Sequence, residues 1–530
     1  MEAYTYIVVG AGTAGCVLAA RLSEEPGARV LLLEAGTAER TRAMAVPNAW
    51  PENLGSAADW GYVTTSQAEA GPLPYPRGRA LGGSGAINAM AHVRGHPAVY
   101  DRWAAGGAPG WGFADLLPWF RRTERAEGHD PALLDQALRG TDGPIRVAPA
   151  ADRHPVARAF AEALTRSGCP VTDDLSGRAP EGVTWADLAI ADGERVSPAD
   201  GYLRPALGRP NLDVATGAVV TRLTMRHGRC TGVSYVRDGA AAGAAVDTPA
   251  GPSAGGSPGG PAGGEVILAA GAIGSPYLLL RSGIGPAGSL RALGIDPVAD
   301  LPGVGGNLQD HPTAKVCWAT PAPPPASRYN HGETYAALRS ELAGEVPDLH
   351  LFPILLPLPP GAGFAPPAAG FLLVAAAMTP DSRGTVRLAS PDAPPLIDPG
   401  FLTDERDLDR LATGLRLVRQ AAAQASFGGG VELYPGPEVR TDAALRDYIR
   451  RTVDSYYHPV GTCRMGSDDD AVVDPELRVR GVAGLRVADA SIMPLIPNAH
   501  PHATILAIAE RAAALIAARP ASPVPRSGVR

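Results

Sequence analysis

The hexapeptide GAGTAG at residues 10–15 constrains the fold of this chain more than any other feature. It follows the apolar run YIVV and precedes a segment whose apolar residues recur at helical spacing. In a strand–turn–helix unit, Gly10 permits the tight turn, Gly12 lets the backbone approach a pyrophosphate, and Gly15 lets the helix pack closely. A second apolar run, RVLLLEAG, ends near Glu34. The pattern predicts a β-α-β unit of a parallel sheet that binds a dinucleotide.

Glu34 narrows the choice of nucleotide. A carboxylate at the end of the second strand can accept hydrogen bonds from the ribose hydroxyls, and it would repel a 2′-phosphate. The phosphates of the dinucleotide would lie against the positive end of the helix that follows the glycine turn. NADP is therefore disfavoured, whereas NAD and FAD both remain compatible with this unit.

The rest of the chain changes character from segment to segment. With 530 residues it is too long for one ordinary core, so we expect two domains or one large elaborated fold. Residues 205–236 alternate as short strands, and residues 312–450 are Pro-rich and apolar without a second nucleotide pattern. Between them, GPSAGGSPGGPAGG (251–264) offers almost no side chain that can pack. We therefore expect a flexible loop over residues 239–264.

Charge and cysteine content exclude several classes of protein. The net charge is −7 without a basic cluster, so we expect no nucleic-acid partner. Five scattered cysteines without a C-x-x-C pair argue against a disulfide framework and a zinc site, and we expect no metal. No apolar run approaches the ~20 residues that span a bilayer, and a strand begins close to the first residue. We expect no membrane partner, no signal peptide and a cytoplasmic location.

A second glycine-rich stretch, PRGRALGGSGAINAMAHVRGH at residues 76–96, indicates backbone that closely approaches something flat or bulky. Further blocks are IVVGAGTAG, AAGAIGSPYLLLRSGIGP, GVGGNLQDHP, YHPVGTCRMG and LRVADASIMPLIPNAHPHATILAIAERAA. With these blocks the sequence resembles the glucose–methanol–choline (GMC) oxidoreductase family of FAD-dependent alcohol oxidases and dehydrogenases. The resemblance runs almost from end to end, in the family's order and spacing.

The resemblance implies an α/β fold with two domains. A Rossmann-like FAD-binding domain would be built from several chain segments, residues 1–155, 200–310 and 453–530. A substrate domain with an antiparallel sheet and helices would be formed by residues 311–452. The last FAD-binding segment would carry the catalytic histidines.

The resemblance also implies which residues contact FAD. Residues 82–91 would run beneath the isoalloxazine, and Trp60 and Val220 would lie by the adenine. Asp489 and Ala490 would approach the pyrophosphate and ribityl chain. The full set of implied FAD-binding residues is Gly10, Gly12, Thr13, Ala14, Gly15, Glu34, Ala35, Trp60, Gly82, Gly83, Ser84, Asn88, Ala89, Met90, Ala91, Val220, Ala270, Asp489, Ala490, His500 and Pro501.

Some members of the family tether the flavin covalently through a histidine in the GGS stretch. The corresponding position here is Ile87, and His92 lies nearby but out of register. The resemblance therefore implies a non-covalently bound, dissociable FAD.

Two polar residues of the family face the flavin across the substrate. Removal of a hydride from an alcohol carbon requires loss of the hydroxyl proton, and an imidazole with a pKa of ~6.5 suits that task. By resemblance His458 matches the first residue and His502 the second. His500 is the alternative for the second, because some aryl-alcohol-oxidising relatives carry their second histidine in that register. Alternate side chains of an extended segment share a face, so either one histidine faces the substrate while the other supports the loop, or both reach it. The H-P-H sequence replaces the N-x-N that many relatives carry.

Other polar residues have structural interpretations that we favour. Cys463 beside Arg464 is typical of a structural turn, and Asp310 beside His311 of a junction under the cofactor. His350 lies on an apolar strand, where a place in the pocket wall and a place in the core both remain open. The GGSGA sequence lacks the helix–nucleophile context of a hydrolase elbow, which argues against a serine hydrolase.

The predicted reaction is oxidation of a primary alcohol to the aldehyde, with hydride transfer to flavin N5 and histidine-assisted proton abstraction. Residues 348–378, rich in Leu, Ile, Phe, Ala and Pro, would supply the substrate wall. We therefore expect an apolar or aromatic alcohol rather than choline, which favours a carboxylate or an aromatic cage. Reduced flavin would pass its electrons to O2 or another acceptor. The alternatives are an FAD-containing lyase, similar to hydroxynitrile lyases, and a sugar or polyol dehydrogenase, and the oligomeric state stays open.

Overall fold

The computed structural model describes residues 3–130, 134–247, 263–425 and 427–518. Its α-helices are α1 (Thr13–Leu22), α2 (Arg42–Ala45), α3 (Ser84–Ile87), α4 (Pro97–Ala105), α5 (Phe113–Thr123), α6 (Pro155–Arg166), α7 (Arg204–Ala206), α8 (Gly271–Arg281), α9 (Ala287–Ala292), α10 (Glu405–Gln424), α11 (Asp442–Thr452) and α12 (Pro501–Ala517). Its strands are β1 (Tyr6–Val9), β2 (Val30–Leu33), β3 (Val63–Gln67), β4 (Gly71–Pro74), β5 (Glu124–Ala126), β6 (Ile145–Pro149), β7 (Gly182–Trp185), β8 (Asp187–Leu188), β9 (Ile190–Ala191), β10 (Glu194–Arg195), β11 (Leu212–Ala215), β12 (Ala218–Arg226), β13 (Arg229–Arg237), β14 (Ala240–Ala245), β15 (Glu265–Leu268), β16 (Ile284–Gly285), β17 (Ala299–Asp300), β18 (Pro312–Ala319), β19 (Thr334–Leu338), β20 (Leu349–Ile354), β21 (Gly370–Ala377), β22 (Thr385–Leu388), β23 (Pro395–Asp398), β24 (Val431–Tyr434), β25 (Asp454–Ser455) and β26 (Leu485–Val487).

A five-stranded parallel sheet carries the glycine turn. Its strand order is β11–β2–β1–β15–β26, with Tyr6 of β1 opposite Val30 of β2 and Glu265 of β15. The strands are continuous apolar runs because α1 packs on them and against α12. The sequence-based prediction of a β-α-β unit in a Rossmann-like sheet is confirmed. The sheet draws strands from widely separated parts of the chain.

An antiparallel sheet forms the second layer. Its order is β24–β18–β21–β20–β19–β7, and β25 pairs with β18. The predicted fold class, with a second antiparallel sheet, is confirmed. Strand β7 comes from Gly182–Trp185, a stretch between the domain segments that the sequence had suggested. The domain ranges themselves stay a prediction.

The two faces of the antiparallel sheet have different neighbours. Because side chains alternate along a strand, Ala314 and Val316 of β18 pack in a core with α10, whereas Cys317 packs with the opposite face. Leu372 and Val374 of β21 lie on that opposite face too. The face without α10 is the one available to a substrate.

Residues Ala240–Ala245 correct the expected loop over 239–264. They form β14, which pairs with β13 in an antiparallel hairpin. Asp238 and Gly239 at the turn both have positive φ (52° and 77°), as a two-residue hairpin turn requires. Small side chains do not prevent a hairpin because its hydrogen bonds are made by the backbone. The rest of the expected loop, residues 248–262, lies outside the described residues.

Among the described residues, no helix combines the length and the apolar character needed to cross a bilayer.

Candidate active site

A cavity of about 1040 Å³ lies between the two sheets. The parallel sheet contributes the loops at the carboxyl ends of its strands, which is where nucleotides bind in such sheets. The antiparallel sheet contributes side chains from β18 to β21. The predicted site residues that line the cavity are Gly10, Gly12, Thr13, Ala14, Glu34, Ala35, Trp60, Gly83, Ser84, Asn88, Ala89, Met90, Ala91, Val220, Ala270, His458, Asp489, Ala490, His500, Pro501 and His502.

The glycine turn joins β1 to α1 and borders the cavity. A Cβ atom on Gly12 would meet no protein atom closer than 3.9 Å, so a side chain there would occupy cavity space. Gly15 does not line the cavity. Its Cβ would lie 1.8 Å from the Gly10 carbonyl oxygen, so Gly15 serves the close packing of helix and turn. Gly10 and Gly12 therefore border the cavity, and Gly15 allows α1 to pack closely against the turn.

Glu34 follows β2 and turns its carboxylate to the same cavity. Its two oxygens accept hydrogen bonds from the backbone N–H groups of Ala11 and Gly36, each 2.8 Å long. Burial raises the pKa of this carboxyl to about 7, although these hydrogen bonds act in the opposite direction. The carboxylate is thus fixed in position beside the glycine turn, where a ribose could donate hydrogen bonds to it.

The second glycine stretch lies directly against the first. A Cβ atom on Gly83 would lie 2.6 Å from the Cα atom of Gly12, and Gly83 has a φ of 53°. Gly82, with a φ of 94°, does not line the cavity and shapes the turn. Beyond it, the Asn88 side-chain oxygen accepts hydrogen bonds from Met90 N–H (2.9 Å) and Arg195 Nη1 (2.7 Å). These hydrogen bonds hold the segment from Asn88 to Ala91 against the cavity.

Asp489 organises the backbone at the far side of the glycine turn. Its Oδ2 atom accepts hydrogen bonds from Gly271 N–H and Ser275 Oγ, and its Oδ1 atom accepts two from Ser491. The carboxylate is therefore used within the protein, and the residue approaches a ligand mainly through its backbone. At the rim of the cavity, the Trp60 ring stacks on the Tyr62 ring, with 5.7 Å between the ring centroids.

These features fit an FAD molecule. The Gly12 backbone leaves space that a side chain would fill, Gly83 packs directly against Gly12, and Glu34 supplies an acceptor beside that space. A volume of about 1040 Å³ lies at the upper end of the range for ligand pockets, as a dinucleotide with a small substrate requires. The antiparallel sheet closes the other end of the cavity.

His458 and His500 face each other at that other end. Their ring centroids are 5.1 Å apart with an interplanar angle of 75°. The Tyr456 ring contacts both, at 4.4 Å from His458 and 5.1 Å from His500, and its hydroxyl is 3.0 Å from His500 Nε2. The structure therefore brings together two imidazoles and one phenol around a single point of the cavity.

His502 lines the cavity from a different direction. It lies in the first turn of α12, whereas His500 precedes that helix as its N-cap. The helix ends the two-residue alternation, so the two side chains do not share a face. The ring of His502 instead contacts the His92 ring, 6.0 Å between centroids. This geometry favours His500 over His502 as the partner of His458, the reverse of the order that the sequence suggested.

His311 contacts His458 directly, which the sequence did not reveal. The Nδ1 atoms of the two rings are 2.9 Å apart. The neighbouring Asp310 accepts a hydrogen bond from the His458 backbone N–H at 2.8 Å and another from the Tyr75 hydroxyl at 2.6 Å. The Asp310–His311 pair therefore supports His458, and an acid next to a histidine directly before β18 was the signal that could have indicated it.

Burial keeps these imidazoles uncharged. It lowers the pKa of His458 and His500 well below 6.5, and it lowers the pKa of His311 and His502 to about 3. Neighbouring imidazoles lower the pKa of His458 and His500 further, because a second positive charge nearby is unfavourable. His350 packs behind His500 with a ring distance of 6.0 Å and does not line the cavity. Neutral imidazoles can accept a proton, which suits a general base.

The antiparallel sheet contributes aromatic and aliphatic side chains to the cavity wall around His458 and His500. Tyr335 and Phe352 lie with ring centroids 5.4 Å apart, and Phe352 stacks on Tyr456 at 4.8 Å. Leu372 and Val374 complete the apolar part. The sequence of residues 348–378 did not show this aromatic cluster, because two of its rings come from other strands. In the part of the chain that the structure describes, no group of His, Cys, Asp and Glu side chains is arranged to hold a metal ion.

Family models and curated relatives with similar sequences identify the protein family of the chain. Models of GMC oxidoreductases match residues 4–313 and 380–509. The chain is 38% identical to the mitochondrial choline dehydrogenase of Homo sapiens, over 98% of this chain and 91% of that protein. It is 37% identical to the oxygen-dependent choline dehydrogenase of Brucella ovis, over 99% and 97% of the two chains.

Solved structures show the same fold. Pyridoxine 4-oxidase from Mesorbium loti has a TM-score of 0.88 and 36% identity, covering 97% of this chain and 99% of that one. A fungal aryl-alcohol oxidase has a TM-score of 0.81 and 25% identity, with coverage of 97% and 99%. The resemblance inferred from the sequence blocks is thereby confirmed. The chain belongs to the GMC oxidoreductase family and is an FAD-dependent oxidoreductase that acts on alcohols.

Proposed function

We propose that this protein oxidises an aromatic or apolar primary alcohol to the aldehyde, with His458 as the base that removes the hydroxyl proton. The observation that carries the proposal is the pair of neutral imidazoles, His458 and His500, 5.1 Å apart in the cavity that the nucleotide-binding turn also lines. An alcohol oxygen placed between the two rings can give its proton to one ring and accept a hydrogen bond from an N–H of the other.

FAD would be held by the glycine turn, by Glu34 and by the backbone from Gly83 to Ala91. When bound, it supplies the acceptor for the hydride that leaves the alcohol carbon. Non-covalent binding is supported by Ile87, which lines the cavity at the position where some relatives carry the tethering histidine. His92 does not line the cavity, and its Nε2 atom lies 3.6 Å from the Glu124 carboxylate.

His311 sets the protonation of His458. His311 Nδ1 and His458 Nδ1 face each other at 2.9 Å, so one of the two atoms carries the proton of this contact, and in the proposed scheme it is His458 Nδ1. His311 Nδ1 then accepts a hydrogen bond from His458 Nδ1–H. That arrangement leaves Nε2 of His458 as the unprotonated atom, and it is the atom that takes the alcohol proton. His311 is a positioning residue in this scheme.

His500 holds the substrate oxygen. Tyr456 fixes the His500 ring through the 3.0 Å contact of its hydroxyl with Nε2, and Tyr335 hydrogen-bonds to Tyr456. The rigid support orients the imidazole before the alcohol arrives, which reduces the cost of aligning the reacting groups. His502, beside His92, is then a neighbour of the substrate rather than its main partner.

The wall supports an aromatic alcohol. Three rings, those of Tyr335, Phe352 and Tyr456, are joined by Leu372 and Val374, and such a surface binds a flat apolar group. The name of one structural neighbour, an aryl-alcohol oxidase, agrees with this substrate class. Choline is the second candidate, because curated relatives are named choline dehydrogenases and aromatic rings attract quaternary ammonium groups.

The test is the absorption spectrum of the flavin without oxygen. Benzyl alcohol, pyridoxine, choline and a sugar alcohol are added separately to the holoenzyme, and then air is admitted. Bleaching by the aromatic alcohols, at lower concentration than by choline, is the expected result. Bleaching by choline alone would make choline, and not an aromatic alcohol, the proposed substrate. A flavin that no alcohol bleaches would favour the function of a lyase. The rate of colour return in air distinguishes O2 from another acceptor.

A further inference from the structure

Lys315 places a charge on the otherwise uncharged wall of the cavity. It is the single lysine of the sequence and stands on β18, two residues beyond Thr313, so both side chains share the face away from α10. Its Nζ atom donates to Asp454 Oδ2 at 2.5 Å, and Asp454 lies on β25 beside it. Of the cavity-lining residues that the antiparallel sheet contributes, these two carry a formal charge.

The ion pair is only partly satisfied by the protein. An ammonium group has three N–H donors, and within the described ranges Lys315 Nζ has one partner, Asp454. The carboxylate of Asp454 accepts one further hydrogen bond, from the Ser455 backbone N–H at 2.8 Å. Lys315 is nine-tenths buried and lines the cavity, so its remaining donors have little access to bulk water. Buried donors of this kind require partners.

The pair lies at a suitable distance from the histidines. His311, which contacts His458, stands four residues before Lys315 along the strand. An extended chain rises about 3.3 Å per residue, which separates their Cα atoms by about 13 Å. Lys315 and Asp454 thus border the same cavity as His458 and His500, and Lys315 lies four residues along the chain from the ring that contacts His458.

We propose that Lys315 and Asp454 form a specificity site for an uncharged polar group at the far end of the substrate. The group accepts a hydrogen bond from Lys315 and donates one to Asp454, as a carboxamide or hydroxyl does. A carboxylate would lie against Asp454 and an ammonium against Lys315, so both charged groups are rejected. This inference rests on the proposed oxidation of an aromatic alcohol.

The experiment compares four alcohols on the holoenzyme. They are benzyl alcohol and its para-carboxamide, para-carboxylate and para-aminomethyl derivatives, and kcat/KM is measured for each. For the wild-type enzyme we expect the carboxamide to exceed both charged compounds by about tenfold or more, because like charges in a confined site repel strongly. The carboxamide and carboxylate have nearly the same shape, so their difference reports charge.

Two single variants should change the preference in opposite directions. Lys315→Met leaves an unpaired carboxylate, and we expect the aminomethyl compound to gain about tenfold over the carboxylate. Asp454→Asn leaves an unpaired ammonium, and we expect the reverse. The matched control is Arg416→Met, which removes an exposed cation paired with Asp442 outside the cavity and should leave all ratios unchanged. FAD content and Tm confirm that each variant is folded.

A second measurement does not depend on any variant. Because the sequence has one lysine, acetylation of a lysine side chain in the wild-type holoenzyme, located by mass spectrometry of the peptides, reports on Lys315 alone. Without oxygen, the carboxamide should slow acetylation of Lys315 more than benzyl alcohol does at equal flavin reduction. Equal protection by both, or variants that change kcat/KM of all four alcohols by one factor, would overturn the specificity site while the proposed function stands. A flavin that no alcohol reduces would instead remove the proposed function and the specificity site with it.

Discussion

His311 and His458 meet through their Nδ1 atoms, 2.9 Å apart, in a buried contact at the end of the cavity. Two imidazoles that face each other in this way share one proton, so the protonation of one ring fixes that of the other. His458 is also held through its backbone by Asp310. Orientation and tautomer of the proposed base are therefore set by two consecutive residues, Asp310 and His311, that directly precede β18.

Replacing His311 tests this relationship. His311→Ala should lower kcat for flavin reduction about 10- to 100-fold, part of the 10²–10⁴ that a positioned base contributes, while KM changes little. His311→Asn keeps an acceptor near the position of Nδ1 and should recover part of the rate. Anaerobic stopped-flow absorbance gives both parameters, and FAD content controls for folding. Equal rates for the two variants would contradict a role in setting the tautomer.

His500 and His502 can be separated by the same measurement. Since the His500 ring lies 5.1 Å from the His458 ring and the His502 ring contacts His92, His500→Ala should reduce kcat/KM far more than His502→Ala. We expect about 100-fold for the first and less than about tenfold for the second. A larger effect at His502 would restore the order that the sequence alone suggested.

The Rossmann-like half of this structure was accessible from sequence. The strand, glycine turn, helix and terminal acid occur within one continuous segment, so local spacing specifies their arrangement. Gly12 and Glu34 line the cavity, and their geometry depends on neighbours in the chain. The D-G turn at residues 238–239 had an equally local signal, which the small side chains of the following strand concealed.

The substrate half was not accessible in the same way. The contact between His311 and His458 joins positions 147 residues apart. The aromatic cluster combines Tyr335, Phe352 and Tyr456, which come from different strands or loops. Lys315 and Asp454 meet only because β25 pairs with β18. Periodicity within one segment carries no information about such pairings, so the residue types could be read from the chain but their partners could not.

Activity should persist to lower pH than an ordinary histidine base allows. Burial lowers the pKa of His458 well below 6.5, so the ring stays unprotonated as the pH falls through that value. The rate of flavin reduction should therefore remain nearly constant between pH 8 and pH 6 and fall only at more acidic pH. The measurement is kcat/KM against pH, and a midpoint near pH 6.5 for loss of activity would contradict a buried, neutral base.

Stability should respond to the same protonation. The unfolded chain takes up protons at its histidines below about pH 6.5, whereas His311 and His502, with pKa values of about 3, stay neutral in the folded state. Their contribution is complete above pH 6.5 and is lost as the pH falls below it, by about 1.4 kcal/mol per pH unit for each histidine. Urea unfolding from pH 7 to pH 5 should show this slope, and His502→Gln should reduce it. An unchanged slope in that variant would contradict the assignment to His502.

The different roles of Gly12 and Gly15 in the glycine turn can be distinguished by a matched pair of alanine variants. In Gly12→Ala the added methyl group would have no protein atom within 3.9 Å and would occupy cavity space, so FAD retention should fall while the Tm of the FAD-free protein stays the same. In Gly15→Ala the methyl group would lie 1.8 Å from the Gly10 carbonyl oxygen, so helix α1 must move and the Tm itself should fall. Flavin fluorescence after gel filtration measures retention, and calorimetry of the FAD-free proteins measures Tm. If both variants lost FAD and stability together, Gly12 would belong to the packing of the turn rather than to the cofactor cradle.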